Sequence, residues 1–402
     1  MGNVIELSTV ITDIAAGPFG SNLKVECFVP SGFPIIDGAN LKGFKVTDNV
    51  TKFVTEEKAR SLSRSIAHRG DVIVTISGTI GQIAYIPEDS LYDEYLCSQR
   101  QFRVSFDSSM VYVPYLVFYF HTFEGQNKIL SFANQTGVPA LSQPLKNFKK
   151  IRLCLPSFQE QRRIASIVET LNDKIENNIK INDHLEQQAQ TYFQELFVDD
   201  ADPQWATGTI SNLGQVVGGS TPSKAKPEYY TKSGIAWITP KDLSVNKSKF
   251  ITHGETDITE LGLKNSSASI MPEGTVLFSS RAPIGYIAIA AGEVTTNQGF
   301  KSVIPKAEVG TAFMYFFLKH NLPVIEGMAS GSTFKEISGS TMKNVPAVIP
   351  DTKTLSRFND FCSPIFAQQQ ILEKQNQDLA LLRDALLPKL MSGEIDVSAI
   401  QL

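Results

Sequence analysis

The chain has 402 residues, of which 42% are hydrophobic, and a formal net charge of −4. One core rarely organises so long a chain, so two or more domains are expected. No apolar run approaches the roughly 20 residues that span a bilayer, no secretory leader is expected at the start, and the mild acidity speaks against a uniformly basic nucleic-acid binder while allowing a local basic patch.

In chain order, the first feature is a glycine-rich loop, Gly17-Pro-Phe-Gly-Ser-Asn-Leu-Lys24. Small residues let a backbone approach a phosphate, and Ser21, Asn22 and Lys24 supply donors; the same composition also makes an ordinary surface turn. Asp71–Ile76 reads as a buried strand, followed by turn glycines at Gly78 and Gly81 rather than a nucleotide loop. Gln99, Arg100 and Gln101 carry groups that can pair bidentately with base edges, although such groups are common on any polar surface. A helix is expected over Val113–Phe123. From about 157 to 197 glycine disappears, and Ile164, Val168, Leu171, Ile175, Asn178, Asn182, Leu185, Ala189, Tyr192 and Leu196 follow an unbroken 4-3 spacing. That periodicity predicts a long helix with a coiled-coil seam; the alternative is a solvated amphipathic helix lying on its own domain.

The chain then repeats itself. Gly70–Ala84 aligns without gaps on Gly274–Ala288, an offset of 204 residues, and Gly32–Leu41 matches Gly234–Leu243. A second glycine-rich loop, Gly218–Lys226, presents Ser220, Thr221, Lys224 and Lys226 at the place matching the first. Thr275–Phe278 reads as a strand and Thr311–Lys319 as a helix. Asn297 and Gln298 match the earlier Gln99–Gln101 run. Arg281, in an otherwise apolar stretch, is either a buried ion-pair member or a reader of a DNA groove. A second seam runs through Leu355, Phe358, Cys362, Ile365, Gln369, Leu372, Asn376, Leu379, Arg383, Leu386 and Leu390. Polar seam positions select register and partner at a cost in stability, and some could face another chain. Pro364 implies either a kink or a short helix ending where the main one starts, and Pro388 a kink near the end.

No catalytic signature stands out: there is no P-loop, nucleophile elbow or zinc-protease motif. The four cysteines are scattered and lack metal-ligand spacing, so reduced thiols and no metal are expected. The five histidines are isolated and are expected at surface or capping positions.

Several phrases resemble the specificity subunits of type I restriction–modification systems. Pro156-Ser-Phe-Gln-Glu-Gln-Arg-Arg-Ile-Ala-Ser-Ile-Val is similar to the start of that family's central helix, and Leu381–Ile395 to the end of its C-terminal helix. Gly17-Pro-Phe-Gly-Ser and Gly274-Thr-Val-Leu-Phe-Ser resemble phrases recurring in its target-recognition domains. The second helix departs from the pattern, with Asp351-Thr-Lys-Thr-Leu in place of the Gln159-Glu-Gln161 type of start.

The resemblance implies an α+β architecture: two strand-rich recognition domains at about 1–155 and 201–350, separated by helices at about 156–200 and 351–402 that form an antiparallel coiled coil. It further implies that each domain reads one half of a split site in double-stranded DNA; because Ser77 faces Arg281 and Thr79 faces Pro283 in the repeat alignment, that site is expected to be asymmetric. The helices would dock two adenine-N6 methyltransferase subunits that carry S-adenosylmethionine, and two restriction subunits using ATP and Mg could join. This cytoplasmic chain would itself be non-catalytic, bind no cofactor and touch no membrane. The competing expectation is a coiled-coil scaffold joining two protein-binding heads.

Overall fold

The structure, a computed structural model, describes residues 2–134, 137–331 and 335–400. Its contacts divide the chain into two units, Met1–Lys174 with Leu379–Leu402, and Ile175–Asp378. The chain passes from one unit to the other inside each of two long helices, a central helix Phe158–Gln194 and a C-terminal helix Thr352–Ser392. Each unit therefore consists of a strand-rich head and the stretches of both helices that pack on it. Among the described residues, no helix is long and apolar enough to cross a membrane.

In the first unit, strands Ile11–Ala16, Gln101–Phe106, Val72–Thr75 and Ile83–Tyr85 lie in that order in an antiparallel sheet. The Val72–Thr75 strand is buried along its whole length, as its unbroken apolar run requires. A second sheet orders Phe28–Val29, Phe53–Val54, Phe33–Ile36, Glu94–Cys97 and Ile66–His68. Within it Ile35 pairs in parallel with Leu96. Asn3–Glu6 pairs with Arg152–Leu155, which ties the start of the head to the segment entering the central helix.

The second unit repeats this plan. Strands Gly214–Gly218, Lys301–Pro305, Val276–Ser280 and Ile284–Ala290 take the same order, with Phe250–Ile251 added in parallel at the edge. In the first head a parallel bridge, Lys45 with Tyr85, stands at that edge. Trp237 pairs in parallel with Thr295, as Ile35 does with Leu96. The aligned glycines Gly81 and Gly285 both sit in the left-handed region, at φ +92° and +94°. A side chain there would be strained, which explains the glycine in both copies.

The helices run antiparallel. In the second unit Asn178 donates to Asn376 Oδ1 at 2.8 Å, and Gln369 donates to the Asn182 carbonyl at 3.1 Å, so one index falls as the other rises. In the first unit Arg383 donates to Asn172 at 3.0 Å. No position of either 4-3 series is exposed. The polar seam residues Asn178 and Gln369 thus meet partners inside this chain. The helices also do more than pack on each other. Ile164, Ala165 and Val168 share one core with Leu387, Leu390 and the Tyr115–Phe120 run of the first head. Phe193, Leu355, Phe358, Ile365 and Phe366 share another with Phe313–Leu318 of the second.

Several boundaries depart from expectation. The Val113–Phe123 helix ends at His121, because Thr122 leaves helical geometry and caps a new helix, Phe123–Leu130, accepting from Gly125 N at 3.1 Å. The central helix closes in a π turn, Glu195–Asp199. No short helix ends at Pro364; the C-terminal helix passes through it without a break. Pro364 and Asp360, whose carbonyl loses its helical donor, are both exposed, which leaves the freed acceptor open to solvent. His121 is half-buried rather than fully exposed: its ring nitrogen meets the Ile83 carbonyl at 2.8 Å and its ring packs on Phe44.

Candidate nucleic-acid interface

In each head the glycine-rich loop folds onto the polar turn that the sequence had placed far away. In the first head, Gly17 N donates to the Gln101 carbonyl at 2.8 Å. A Cβ at Gly17 would lie 1.9 Å from the Ser98 carbonyl oxygen, and one at Gly20 would lie 2.6 Å from Gln99 Oε1. At Gly17, where the neighbour is backbone, only glycine admits this approach, whereas at Gly20 the exposed Gln99 side chain can move aside. In the second head, Ser220 N donates to the Thr296 carbonyl at 2.9 Å, and a Cβ at Gly219 would lie 2.0 Å from the Asn297 carbonyl oxygen. Thr221 hydrogen-bonds to Gln298 there, and Trp237 Nε1 holds the Ser220 carbonyl at 3.0 Å.

The first of these junctions opens on a cleft of about 530 Å³, with Gln99, Arg100, Gln101 and Lys52 among its lining residues. Ser21, Asn22, Lys24, Gln99 and Arg100 are exposed around it. Gln101 is only 1% exposed and belongs to the floor. It bonds to Ser98 and lies 3.5 Å from Thr75 Oγ1, which in turn donates to Gln82 Oε1 at 3.0 Å. Gln82 donates to the Gly38 carbonyl at 3.0 Å. This floor of amides and hydroxyls fixes the shape of the cleft. Thr75, Gln82 and Gly38 lie in the two repeated blocks, but nothing in the chain shows that those blocks meet each other and Gln101 in one floor.

Lys52 meets Asp37 at 2.6 Å on the cleft wall. Burial alone would raise the Asp37 carboxyl, but Lys52 and the Ala39 N–H hold it below its usual range. Asp37 and Asn40 form a capping box that Thr239 and Asp242 reproduce in the second head.

In the second head Lys224, Lys226 and Gln298 are exposed, while Ser220, Thr221 and Asn297 are half-buried. Lys226 pairs with Glu228 at 3.7 Å. Arg281 is not a buried ion-pair member. The strand ends at Ser280, so Arg281 stands in the following turn with its side chain 38% exposed, 3.5 Å from Glu336. Lys301 lies 3.9 Å from the same carboxylate, and burial lowers its amine pKa against the pull of Glu336. Among the described residues, no group of three or more His, Cys, Asp or Glu could hold a metal ion.

The two heads thus present matched loops bearing different side chains. The chain matches the family described as "Type I restriction modification DNA specificity domain" twice, over residues 30–187 and 203–380. It is 40% identical over 194 residues to the type I restriction enzyme MjaIX specificity subunit of Methanocaldococcus jannaschii, covering 46% of this chain and 45% of that protein. It is 23% identical over 392 residues to the HindI specificity subunit of Haemophilus influenzae, covering 78% of this chain and 84% of that one. The first relative is thus matched over less than half its length. In fold the chain is similar to the crystal structure of the type I restriction–modification S subunit from M. genitalium, with a TM-score of 0.62, 15% identity, and 97% and 96% of the two chains covered.

Proposed function

This chain belongs to the family of type I restriction–modification DNA specificity subunits, and from that premise we propose that its two heads read the two halves of one split DNA site. The observation that carries the reading is the repeated seating of a glycine-rich loop on a polar turn. Such a loop brings backbone amides, hydroxyls and lysines to phosphates, while the turn offers amide and guanidinium groups to base edges. In the first head these are Ser21, Asn22, Lys24, Gln99 and Arg100, with Gln101 bracing them from the floor. In the second they are Ser220, Thr221, Lys224, Lys226, Arg281, Asn297 and Gln298. Because the two sets differ, the site is asymmetric. The paired helices dock two methyltransferase subunits, which bring S-adenosylmethionine and transfer its methyl group to adenine; restriction subunits, where they join, bring ATP and Mg. The chain itself reads and assembles, and performs no bond chemistry.

Genome-wide methylation mapping with and without this gene tests the reading. Loss of one bipartite adenine-methylated motif on deletion is expected, and an unchanged methylome would overturn it. Methyl transfer by the purified chain alone would overturn the non-catalytic assignment.

A further inference from the structure

The loop of the first head carries a side chain that phosphate and base-edge contacts leave unused. Phe19 is 82% exposed, at the tip of the loop between Gly17 and Leu23. Its surroundings are firmly seated. Pro18 and Leu23 are buried on either side, Gly17 is pressed against the Ser98 carbonyl, and Asn22 N donates to the Phe19 carbonyl at 2.8 Å. A large aromatic held clear of the protein by a fixed loop loses apolar burial that an inward rotamer on a mobile loop would have gained. The chemistry around it indicates the occupant. Asn22 and Lys24 follow it in the chain, and Gln99 and Arg100 stand across the turn on which the loop sits. A cationic, amide-bearing rim suits a polyanion with stacked bases far better than an apolar protein face.

We propose that Phe19 is a wedge that enters the base stack of the half-site held by the first head. The proposal rests on the reading of that head as a DNA reader. An apolar side chain driven between base pairs partly unstacks one step and kinks the duplex, and the step that unstacks most easily is favoured. Phe19 therefore adds specificity at a position where no base edge is touched. The second head has Thr221 at the matching place of its loop, bonded to Gln298. The deformation is accordingly confined to one half of the site.

The test uses the chain assembled with its methyltransferase partners and a duplex of the mapped methylation motif. A single abasic position is scanned through both halves, and affinity is measured for the native complex and for Phe19→Ala, Phe19→Leu and Phe123→Ala. Phe123 is also exposed, at 85%, but lies outside the loop. In the native complex, apart from the adenines that the methyltransferase subunits flip, an abasic position at one step of one half-site tightens binding several-fold, because the unstacking has been done in advance. Phe19→Ala binds the intact duplex about tenfold more weakly and loses that gain; Phe19→Leu keeps part of both, and Phe123→Ala matches the native complex. An unchanged affinity and scan for Phe19→Ala overturns the wedge, as does a gain in both halves that Phe19→Ala abolishes. Failure of Phe19→Ala to assemble with the methyltransferase also overturns it, since Phe19 would then be covered by protein. A native complex that does not prefer its mapped duplex over an unrelated one overturns the underlying DNA-reading assignment instead.

Discussion

Lys249, from the second head, buries its ammonium against the carboxylate of Glu186 on the central helix. The same amine meets Gln369 Oε1 of the C-terminal helix at 2.6 Å and lies 4.1 Å from the centre of the Phe366 ring. Its equivalent in the first head is Phe44: each residue's carbonyl accepts from the neighbouring strand, Phe44 from Tyr85 N at 2.9 Å and Lys249 from Ile289 N at 2.7 Å. Phe44 packs on Phe118 and lies under the Arg383 guanidinium. One head is seated on its helices by a buried ion pair, the other by an aromatic ring.

Lys249→Met removes one member of a buried pair and leaves Glu186 with Lys319, 2.7 Å away. Breaking such a pair costs about 3–5 kcal/mol, and the remaining lysine places this case near the lower end. Adding Glu186→Gln should restore much of the loss. Urea unfolding midpoints of the single and double variants check this; equal stability of the two would contradict it.

The same pair sets an acid response. Burial alone would raise the Glu186 carboxyl, but Lys249 and Lys319 hold it below its ordinary range. A carboxyl lowered by folding adds stability that is present above its unfolded value, near about 4.3, and is lost as the pH falls through the folded value. The stability advantage of the native chain over Glu186→Gln should therefore be constant near neutrality and shrink below about pH 4. Denaturant titrations across that range measure it, and a gap that widens in acid would refute the assignment.

Gln161 shows what the second junction lacks. It is 1% exposed; its Oε1 accepts from Tyr112 N at 2.8 Å, and its Nε2 donates to the Met110 and Pro156 carbonyls at 2.9 and 3.0 Å. The aligned residue is Leu355, and Asn359, one turn later, reaches the Val309 carbonyl at 2.8 Å. Gln161→Ala strands buried polar groups and should cost about 2–3 kcal/mol. Faster hydrogen exchange at the Tyr112 amide is the specific readout.

Separate heads predict separate effects. Arg100→Ala should relax recognition in one half of the methylated motif and Arg281→Ala in the other, each by about 1–3 kcal/mol if the group reads a base edge. Replacing residues 1–155 with a relative's domain should change one half only. Methylation mapping reports both, and a change in both halves from a single arginine would show that the heads are not independent.

The helices are expected to act as a ruler. Inserting four residues after Lys174 and four after Asp378 adds about 6 Å to each helix while sparing the polar contacts within each unit. The half-sites should stay the same and the spacer grow by one or two base pairs. An active variant with an unchanged spacer would assign head separation to the partner subunits.

Local pattern carried the elements. The strand at Val72–Thr75, the helix at Thr311–His320 and both seams were legible because burial imposes a period that composition records. Boundaries were less legible, since Thr122 and Pro364 depend on whether a cap or water satisfies the freed backbone group.

By itself, then, the sequence determined the repeat, the strand-rich heads, the two long helices and the family they resemble. Only the tertiary structure decided what faces what. It set Gly17 against Ser98, sank Gln101 into a floor with Thr75 and Gln82, left Phe19 exposed, and paired Lys249 with Glu186. The physical reason is range. Periodicity is set by neighbours a few residues apart, whereas a hydrogen bond or ion pair between residues 60 or 80 positions apart leaves no spacing in the chain to read.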